Sequence, residues 1–175
     1  KAHAAAYVIS AFRIAWYKVH MPVYFYASWL TSKATDVDVE VMMKGYDAIK
    51  SKIIEIQNKG YDATNKELGQ LESLKVCLEA TARGIKFANI SIEKSDSRYF
   101  VIDENDPNTL IPPFKTIDGL GENVANQIVE ERKKKYFLSI EDLQKRGKIS
   151  STLIDKMRLM GMLEDLPESS QMTLF

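Results

Sequence analysis

The segment from Thr116 to Lys133 contains the residues whose types and spacing best fit a chemical role, which is to bind phosphate. Gly119 and Gly121 stand on either side of Leu120, where a helix-forming run begins. Glycines at such a turn let the backbone approach a ligand and aim N–H groups at an anion, beside the positive end of the next helix. Contacts of this kind position a duplex without reading its sequence. A turn that only packs two helices is the alternative.

This turn is typical of a helix-hairpin-helix, in which an apolar residue and Gly-Leu-Gly lead into a helix. The helix that follows should pack inward through Val124, Ala125, Ile128 and Val129. The basic run Lys133, Lys134 and Lys135 lies near its end and could attract phosphate. Such a run alone is usually solvated surface that also suits a helix C-terminus. The combination of turn and basic run favours DNA-backbone binding by Gly119, Leu120, Gly121 and these lysines.

A partner hairpin would be expected near residues 145–149, before a helix over Ser151–Met160. Only Gly147 remains there as a glycine, between Lys145 and Lys148. We therefore predict that this half supports packing and carries a basic rim.

The last five residues, 171–175, fit a protein-protein anchor. Gln171 is followed by Met172 and then by the apolar pair Leu174 and Phe175, after a polar stretch that should be flexible. Apolar side chains of this kind fill a pocket on a partner, and the Gln amide fixes their register. The alternative is a frayed tail that folds back onto its own domain.

The first residues, Lys1 and His3, lie at a helix start in a segment without acidic residues. They could meet a triphosphate or a template strand, or His3 could be an ordinary surface histidine. No acid pair, Ser-His or Cys-His arrangement or Walker-type loop points to independent catalysis. Cys77 is expected in the core.

Composition sets further limits. One Cys and two His cannot build a four-ligand zinc site, no apolar run could span a bilayer, and a reducing cytosolic setting follows from the cysteine usage. The 24 basic and 24 acidic residues cancel, but they are segregated. Residues 1–35 have four basic residues and no acidic one, and residues 132–158 have nine basic residues against three acidic ones. The zero net charge is a sum over separate patches.

The periodicity predicts a mainly α fold that begins with four or five helices. We expect helices over 2–20, from Pro22, over 37–59 and from a capping box at Thr64–Glu67 to Gly84. Two short strands should follow, within residues 85–92 and 98–103, then an irregular segment until the helix near Gly121. The sequence therefore predicts three parts. Residues 1–84 are helical, residues 85–163 contain a helix-hairpin-helix at about 115–163, and residues 164–175 form a flexible tail.

With these segments in place, the chain resembles the C-terminal end of PolC-type DNA polymerase III, the replicative alpha subunit of low-GC Gram-positive bacteria. The resemblance covers the whole chain and rests on four blocks in the same order, which are KAHAAAY with the residues after it, LIPPFKTIDGLGENVANQIVEER, FLSIEDLQKRGKIS and LPESSQMTLF. Met172 and Thr173 differ from the commoner Leu and Ser or Asp of the last block.

The resemblance implies a role for each block. Residues 1–84 would be the latter part of the fingers, with Lys1, His3, Arg13 and Lys18 on the side of the incoming nucleotide and template. The hairpin would hold the new duplex, and Gln171, Met172, Leu174 and Phe175 would dock on the sliding clamp, the beta subunit. The implied partners are primer-template DNA, incoming dNTP, the clamp and the rest of the polymerase chain, without a membrane.

The resemblance also implies what this chain should lack. The palm carboxylates that bind Mg²⁺ in the family lie upstream, as does a 3′-5′ exonuclease, so these residues should be inactive alone, without a cofactor or metal of their own. A stand-alone helix-hairpin-helix accessory protein with a clamp-binding tail is the alternative. A helical interaction module without a nucleic-acid role is the third hypothesis.

Overall fold

The computed structural model describes residues 2–169, and the mainly α prediction is confirmed. The helices are α1 Ala2–His20, α2 Pro22–Ser32, α3 Val39–Met43, α4 Tyr46–Lys59, α5 Asn65–Ala82, α6 Glu122–Lys134, α7 Ile140–Gly147 and α8 Ser151–Leu159. The strands are β1 Lys86–Phe87, β2 Val101–Ile102 and β3 Thr109–Ile111.

The capping box predicted before α5 is present. The Thr64 side chain accepts a hydrogen bond from the Glu67 backbone N–H, and the Glu67 carboxylate accepts one from the Thr64 N–H at 2.9 Å. Hydrogen bonds from Lys59 and from Thr64 lower the pKa of Glu67 to about 2. The first turn of α5 is therefore tied down by contacts local in sequence.

The helix predicted over residues 37–59 is wrong in one respect, because the structure has two helices there. Gly45 has a φ of 83°, a left-handed conformation that a right-handed helix cannot continue, and it separates α3 from α4. Asp38 begins α3 as its N-cap, accepting from the Val41 N–H at 3.1 Å.

The strand prediction was incomplete, since the described chain has a third strand. β3 lies at the centre of a sheet ordered β1-β3-β2, parallel to β1 and antiparallel to β2. Its last residue, Ile111, comes directly before Pro112 and Pro113, in a segment expected to be irregular. All three residues of β3 are buried. The prolines end the strand rather than prevent it, because they follow its last ladder bond.

One cluster of buried side chains includes residues on both sides of position 84, from Tyr26 and Leu30 to Met157. Cys77 belongs to it, as predicted, and burial raises the pKa of its thiol to about 12. A thiol of that pKa is protonated at neutral pH and is a poor nucleophile. The domain division at residue 84 stays a prediction. Within residues 2–169, no helix is long and apolar enough to cross a membrane.

Candidate nucleic-acid interface

Residues 117–121 form a tight turn into α6, which we call hairpin 1. Ile117 and Leu120 are buried and anchor the turn from inside. Gly119 between them has a φ of 87°, a conformation that favours glycine. Gly121 is the N-cap of α6, with extended φ and ψ of −68° and 152° and no side-chain cap. Apolar anchors and glycines thus leave the backbone of this turn open to solvent.

Hairpin 1 presents unbonded donors. Among residues 2–169, no hydrogen-bond partner is found for the backbone N–H groups of Gly119, Gly121, Glu122 and Asn123. The carbonyl of Gly121 already accepts from the next turn of α6, at 3.0 Å. Beyond it, Ala125, Ile128 and Val129 are buried and Val124 is half-buried, as predicted. These free N–H groups lie at the positive end of the α6 dipole, an arrangement that favours anions.

Residues 146–150 form a second turn, hairpin 2, which leads from α7 into α8 and resembles hairpin 1 at its last three positions. Lys148 takes the place of Gly119, with φ 53° and ψ 42°, and is the one residue other than glycine with positive φ in the described chain. Ile149 is buried like Leu120. Ser150 caps α8 with φ −68° and ψ 153°, within a degree of Gly121 in each angle. The sequence predicted packing support with a basic rim here, and not a second turn of this kind.

Hairpin 2 also has unbonded donors, namely the backbone N–H groups of Ser150, Ser151 and Thr152, among the residues described. Its remaining glycine, Gly147, serves packing. A Cβ there would stand 3.0 Å from the Ile149 side chain and 3.3 Å from that of Ile128 on α6. The last three residues of the two hairpins thus adopt similar backbone conformations with different residues, whereas Ile117 is extended and Arg146 is helical.

Arg146 was expected on a basic rim, but it joins α7 to the end of α6. Its guanidinium donates to the carbonyl oxygens of Glu131 at 2.5 Å and Lys135 at 2.8 Å. It also forms ion pairs with the carboxylates of Glu131 and Asp142, and lies 4.6 Å from the Phe137 ring centroid. Arg146 thus satisfies the Lys135 carbonyl and gives the Glu131 carbonyl, which already accepts from the Lys135 N–H, a second donor.

Lys133, Lys134 and Lys135 lie at the opposite end of α6 from hairpin 1. The 1.5 Å rise per residue puts roughly 18 Å between the two ends of the helix. Lys133 pairs with Glu130 at 3.0 Å, and Lys134 pairs with Glu131 at 2.6 Å. The structure therefore does not bring the predicted basic run and the predicted glycines into one site.

Two other lysines reach hairpin 1, and sequence reasoning missed both. Lys66 of α5 has its Nζ 3.1 Å from a carboxylate oxygen of Asp118. Lys156 of α8 donates to the Asp118 carbonyl at 2.6 Å, with its Nζ 3.9 Å from the carboxylate. Lys66, followed by Lys156, lowers the pKa of Asp118. The contacts span 52 and 38 residues along the chain, so no local pattern could signal them.

The residues predicted on the nucleotide side lie along α1, except Lys1, which is outside the described residues. His3 and Arg13 are exposed. The His3 and Tyr7 rings pack edge to face, with their centroids 4.5 Å apart. Lys18 is not free, because its Nζ pairs with Glu79 of α5 at 2.7 Å. Lys18 thus attaches α1 to the helical core.

The predicted clamp residues Gln171, Met172, Leu174 and Phe175 lie outside the described residues. The segment before them is bonded to α7, since the carbonyls of Pro167 and Glu168 accept from the N–H groups of Ile140 and Glu141 at 2.9 and 3.2 Å. Glu168 also pairs with Arg158 at 2.7 Å.

No described group of three His, Cys, Asp or Glu side chains is arranged to hold a metal ion. The family resemblance implies magnesium, and the carboxylates that would hold it are expected upstream of these residues.

Known proteins match the chain in two ways. Residues 84–172 match the family model described as a helix-hairpin-helix motif. Over its whole length the chain is 48% identical to DNA polymerase III PolC-type of Lactococcus lactis, 48% to that of Bacillus cereus and 44% to that of Streptococcus mutans. It covers 10%, 12% and 12% of these relatives, about a tenth of their length. The chain therefore belongs to the helix-hairpin-helix family and is similar throughout to a C-terminal-region segment of PolC-type DNA polymerase III.

Proposed function

We propose that this chain is the part of a PolC-type replicative DNA polymerase that holds the newly made duplex by its phosphate backbone. One observation carries the proposal. Within the segment that matches the helix-hairpin-helix family, two turns that share the backbone states of their last three residues each leave N–H groups unbonded at a helix start. Such groups bind phosphate oxygens, so the duplex would be held without base readout.

At hairpin 1 the donors are main-chain N–H groups alone. Gly119 and Gly121 carry no side chain that would keep a phosphate away, and an added Cβ at Gly121 would meet nothing within 4 Å. A phosphate oxygen can therefore approach the backbone directly. Leu120 contributes indirectly, because its buried side chain fixes the conformation of the turn.

At hairpin 2 side chains supplement the main chain. Lys148 and Lys145 are exposed, and the hydroxyls of Ser151 and Thr152 lie beside the free N–H groups at the start of α8. A lysine in the turn supplies the charge attraction, and the N–H groups supply direction. Hairpin 2 is thus the more basic of the two proposed contacts.

Lys133, Lys134 and Lys135 would contact a different stretch of backbone. All three are exposed at the C-terminal end of α6. The pairs of Lys133 and Lys134 with glutamates of their own helix are exposed on the lysine side, so phosphates can compete for these lysines.

The helical N-terminal part would face the incoming nucleotide and template through Lys1, His3 and Arg13, and Lys18 would join them only by leaving its pair with Glu79. This assignment rests on the family resemblance and on the acid-free composition of residues 1–35. The apolar side chains of α1 are largely exposed, with Phe12 at 73%. We infer that the rest of the polymerase chain covers them, since apolar patches of this extent mark interfaces.

The C-terminal residues Gln171, Met172, Leu174 and Phe175 would tether the enzyme to the sliding clamp. A tether and weak phosphate contacts on one chain raise the effective concentration of DNA without tight binding at either site. Nucleotide addition with Mg²⁺ and the 3′-5′ exonuclease would lie in the remainder of the polymerase, in the cytoplasm, and these residues would be inactive alone.

The test is the affinity of the 175-residue chain for a mixed-sequence duplex, measured by fluorescence anisotropy across salt concentrations. We expect the logarithm of the binding constant to fall linearly with the logarithm of salt concentration, and unrelated duplexes to bind equally. Changing Lys133, Lys134 and Lys135 to Glu should weaken binding. A flat salt response would overturn the proposal.

The tether has its own test, a clamp pull-down that compares the intact chain with a Leu174→Ala, Phe175→Ala variant. We expect the variant to be lost from the clamp, and equal retention would remove this part of the proposal.

A further inference from the structure

We propose that Lys66 of α5 and Lys156 of α8 belong to the phosphate site of hairpin 1, where Asp118 holds both lysines until a phosphate replaces it. The proposal rests on the duplex binding argued above and adds two residues that neither the glycine motif nor the basic run contains. It also assigns to Asp118 the role of an internal competitor for the DNA backbone.

The geometry places both ammonium groups one residue from Gly119. Lys66 approaches the Asp118 side chain at 3.1 Å, and Lys156 approaches the Asp118 carbonyl at 2.6 Å. They come from helices on two sides of the turn, α5 and α8. The free N–H groups of Gly119 and Gly121 lie on the same turn, so donors and positive charge converge there.

These lysines supply what hairpin 1 otherwise lacks. The turn itself contains Asp118 and is followed by Glu122 in the first turn of α6, both of which repel a phosphate. The predicted basic run is at the far end of α6, roughly 18 Å away along the helix. Lys66 and Lys156 are the lysines whose ammonium groups lie within 4 Å of the Asp118 carboxylate on this turn.

The position of Lys66 on its helix agrees with a role in anion binding. It is the second residue of α5, where the helix dipole disfavours a positive charge. A lysine there adds to the positive potential of the helix end instead of offsetting it. An anion beside Lys66 would therefore be attracted both by the ammonium group and by the positive end of the α5 dipole.

A phosphate can replace the Asp118 carboxylate in these ion pairs. The side chain of Asp118 is 75% exposed and that of Lys66 is 63% exposed, and exposed pairs of this kind contribute little to stability. Lys66 holds the pKa of Asp118 below its ordinary value, so the carboxylate remains charged at neutral pH. A DNA phosphate can take both ammonium groups and, in addition, the free N–H groups.

Acidic residues also line the groove beside hairpin 1 and limit where a phosphate strand can lie. Asp36, Asp38 and Glu40 line this groove together with Lys66 and Lys156. Their charge would keep a phosphate close to the two lysines and to the free N–H groups of the turn. Lys66 would then link the N-terminal helices directly to the bound duplex.

The test compares Lys66→Gln, Lys156→Gln and Asp118→Asn with a matched control, Lys86→Gln. Lys86 is an equally exposed lysine, 71% for its side chain, paired with Asp106 at 3.0 Å on the small sheet. Binding of a mixed-sequence duplex to the 175-residue chain is measured across salt concentrations, and thermal unfolding of each variant checks the fold.

We expect Lys66→Gln and Lys156→Gln to weaken binding roughly three- to ten-fold near 0.1 M salt and to make the logarithmic salt slope shallower by about 0.9 each. Lys66→Arg should retain the affinity, Lys86→Gln should change it less than about two-fold, and Asp118→Asn should tighten it.

Two results would overturn the inference alone while wild-type binding persists. One is a Lys66→Gln affinity equal to that of Lys86→Gln, and the other is weaker binding by a folded Asp118→Asn variant. Absence of salt-dependent binding by the wild-type chain would overturn both this inference and the proposed function.

Discussion

Hairpin 1 and hairpin 2 show how far backbone geometry can be kept while the residues change. Both have a residue at positive φ, a buried apolar residue and an extended N-cap, in that order. Hairpin 1 fills these positions with Gly119, Leu120 and Gly121, and hairpin 2 fills them with Lys148, Ile149 and Ser150. The shared requirement is for three backbone states, of which the glycine motif is one solution.

The difference between the two turns is electrostatic. Hairpin 2 carries its positive charge within the turn, on Lys148, whereas hairpin 1 carries Asp118 and takes its lysines from other helices. A lysine at positive φ costs about 1 kcal/mol relative to glycine. Such local strain at an exposed, charged position fits a binding role.

The largest expected effect is on stability, and it tests whether each turn depends on its own buried apolar residue. Leu120→Ala and Ile149→Ala each remove a buried side chain, so each should lower the free energy of unfolding by about 2–5 kcal/mol. Urea denaturation followed by circular dichroism measures this. If Ile149→Ala cost under about 1 kcal/mol, the structural equivalence of the hairpins would be contradicted.

The second-largest expected effect is at Arg146 of hairpin 2, because hairpin 1 has the apolar Ile117 at the corresponding position. Arg146→Met should lower the free energy of unfolding by about 2–3 kcal/mol, since it removes the donor to the Lys135 carbonyl and the half-buried ion pairs with Glu131 and Asp142. Lys145→Met, an exposed neighbour, is the control and should change stability little. Equal effects would show that Arg146 is only a surface charge.

Substitutions at the two residues with positive φ should have smaller effects on stability, and these effects should differ between the turns. Gly119→Ala should cost about 1–2 kcal/mol, because its φ of 87° disfavours a side chain. Lys148→Gly should change stability by less than about 1 kcal/mol, since relief of strain is offset by the entropy of glycine. Chemical denaturation of both variants checks the prediction, and a larger loss at Lys148 would argue against strain there.

The N-caps should give the smallest difference. Ser150→Ala removes the side chain that accepts from the Leu153 N–H and should cost about 1 kcal/mol, whereas Gly121→Ser should alter stability by a few tenths of a kcal/mol. The added hydroxyl at position 121 should weaken duplex binding, because it competes for the free N–H groups. Thermal unfolding and anisotropy separate the two effects, and unchanged DNA affinity would place the phosphate elsewhere.

The features that the sequence predicted well are local. The Thr64–Glu67 capping box and the inward face of α6 depend on residues three or four apart. The missed features depend on tertiary contacts: β3 is held by strands on both sides, and Lys66 meets Asp118 across 52 residues. Hairpin 2 was underestimated because Lys148 occupies a conformation that residue preferences assign to glycine.

Duplex binding by Lys148→Gln across salt concentrations tests the central claim most directly, since glutamine keeps the side chain's bulk and removes only its charge. The account predicts that the wild-type chain binds unrelated duplexes equally, with affinity that falls as salt rises, and that Lys148→Gln makes the logarithmic slope shallower by about 0.9. An identical slope for a folded Lys148→Gln variant would contradict the claim that hairpin 2 holds the DNA backbone.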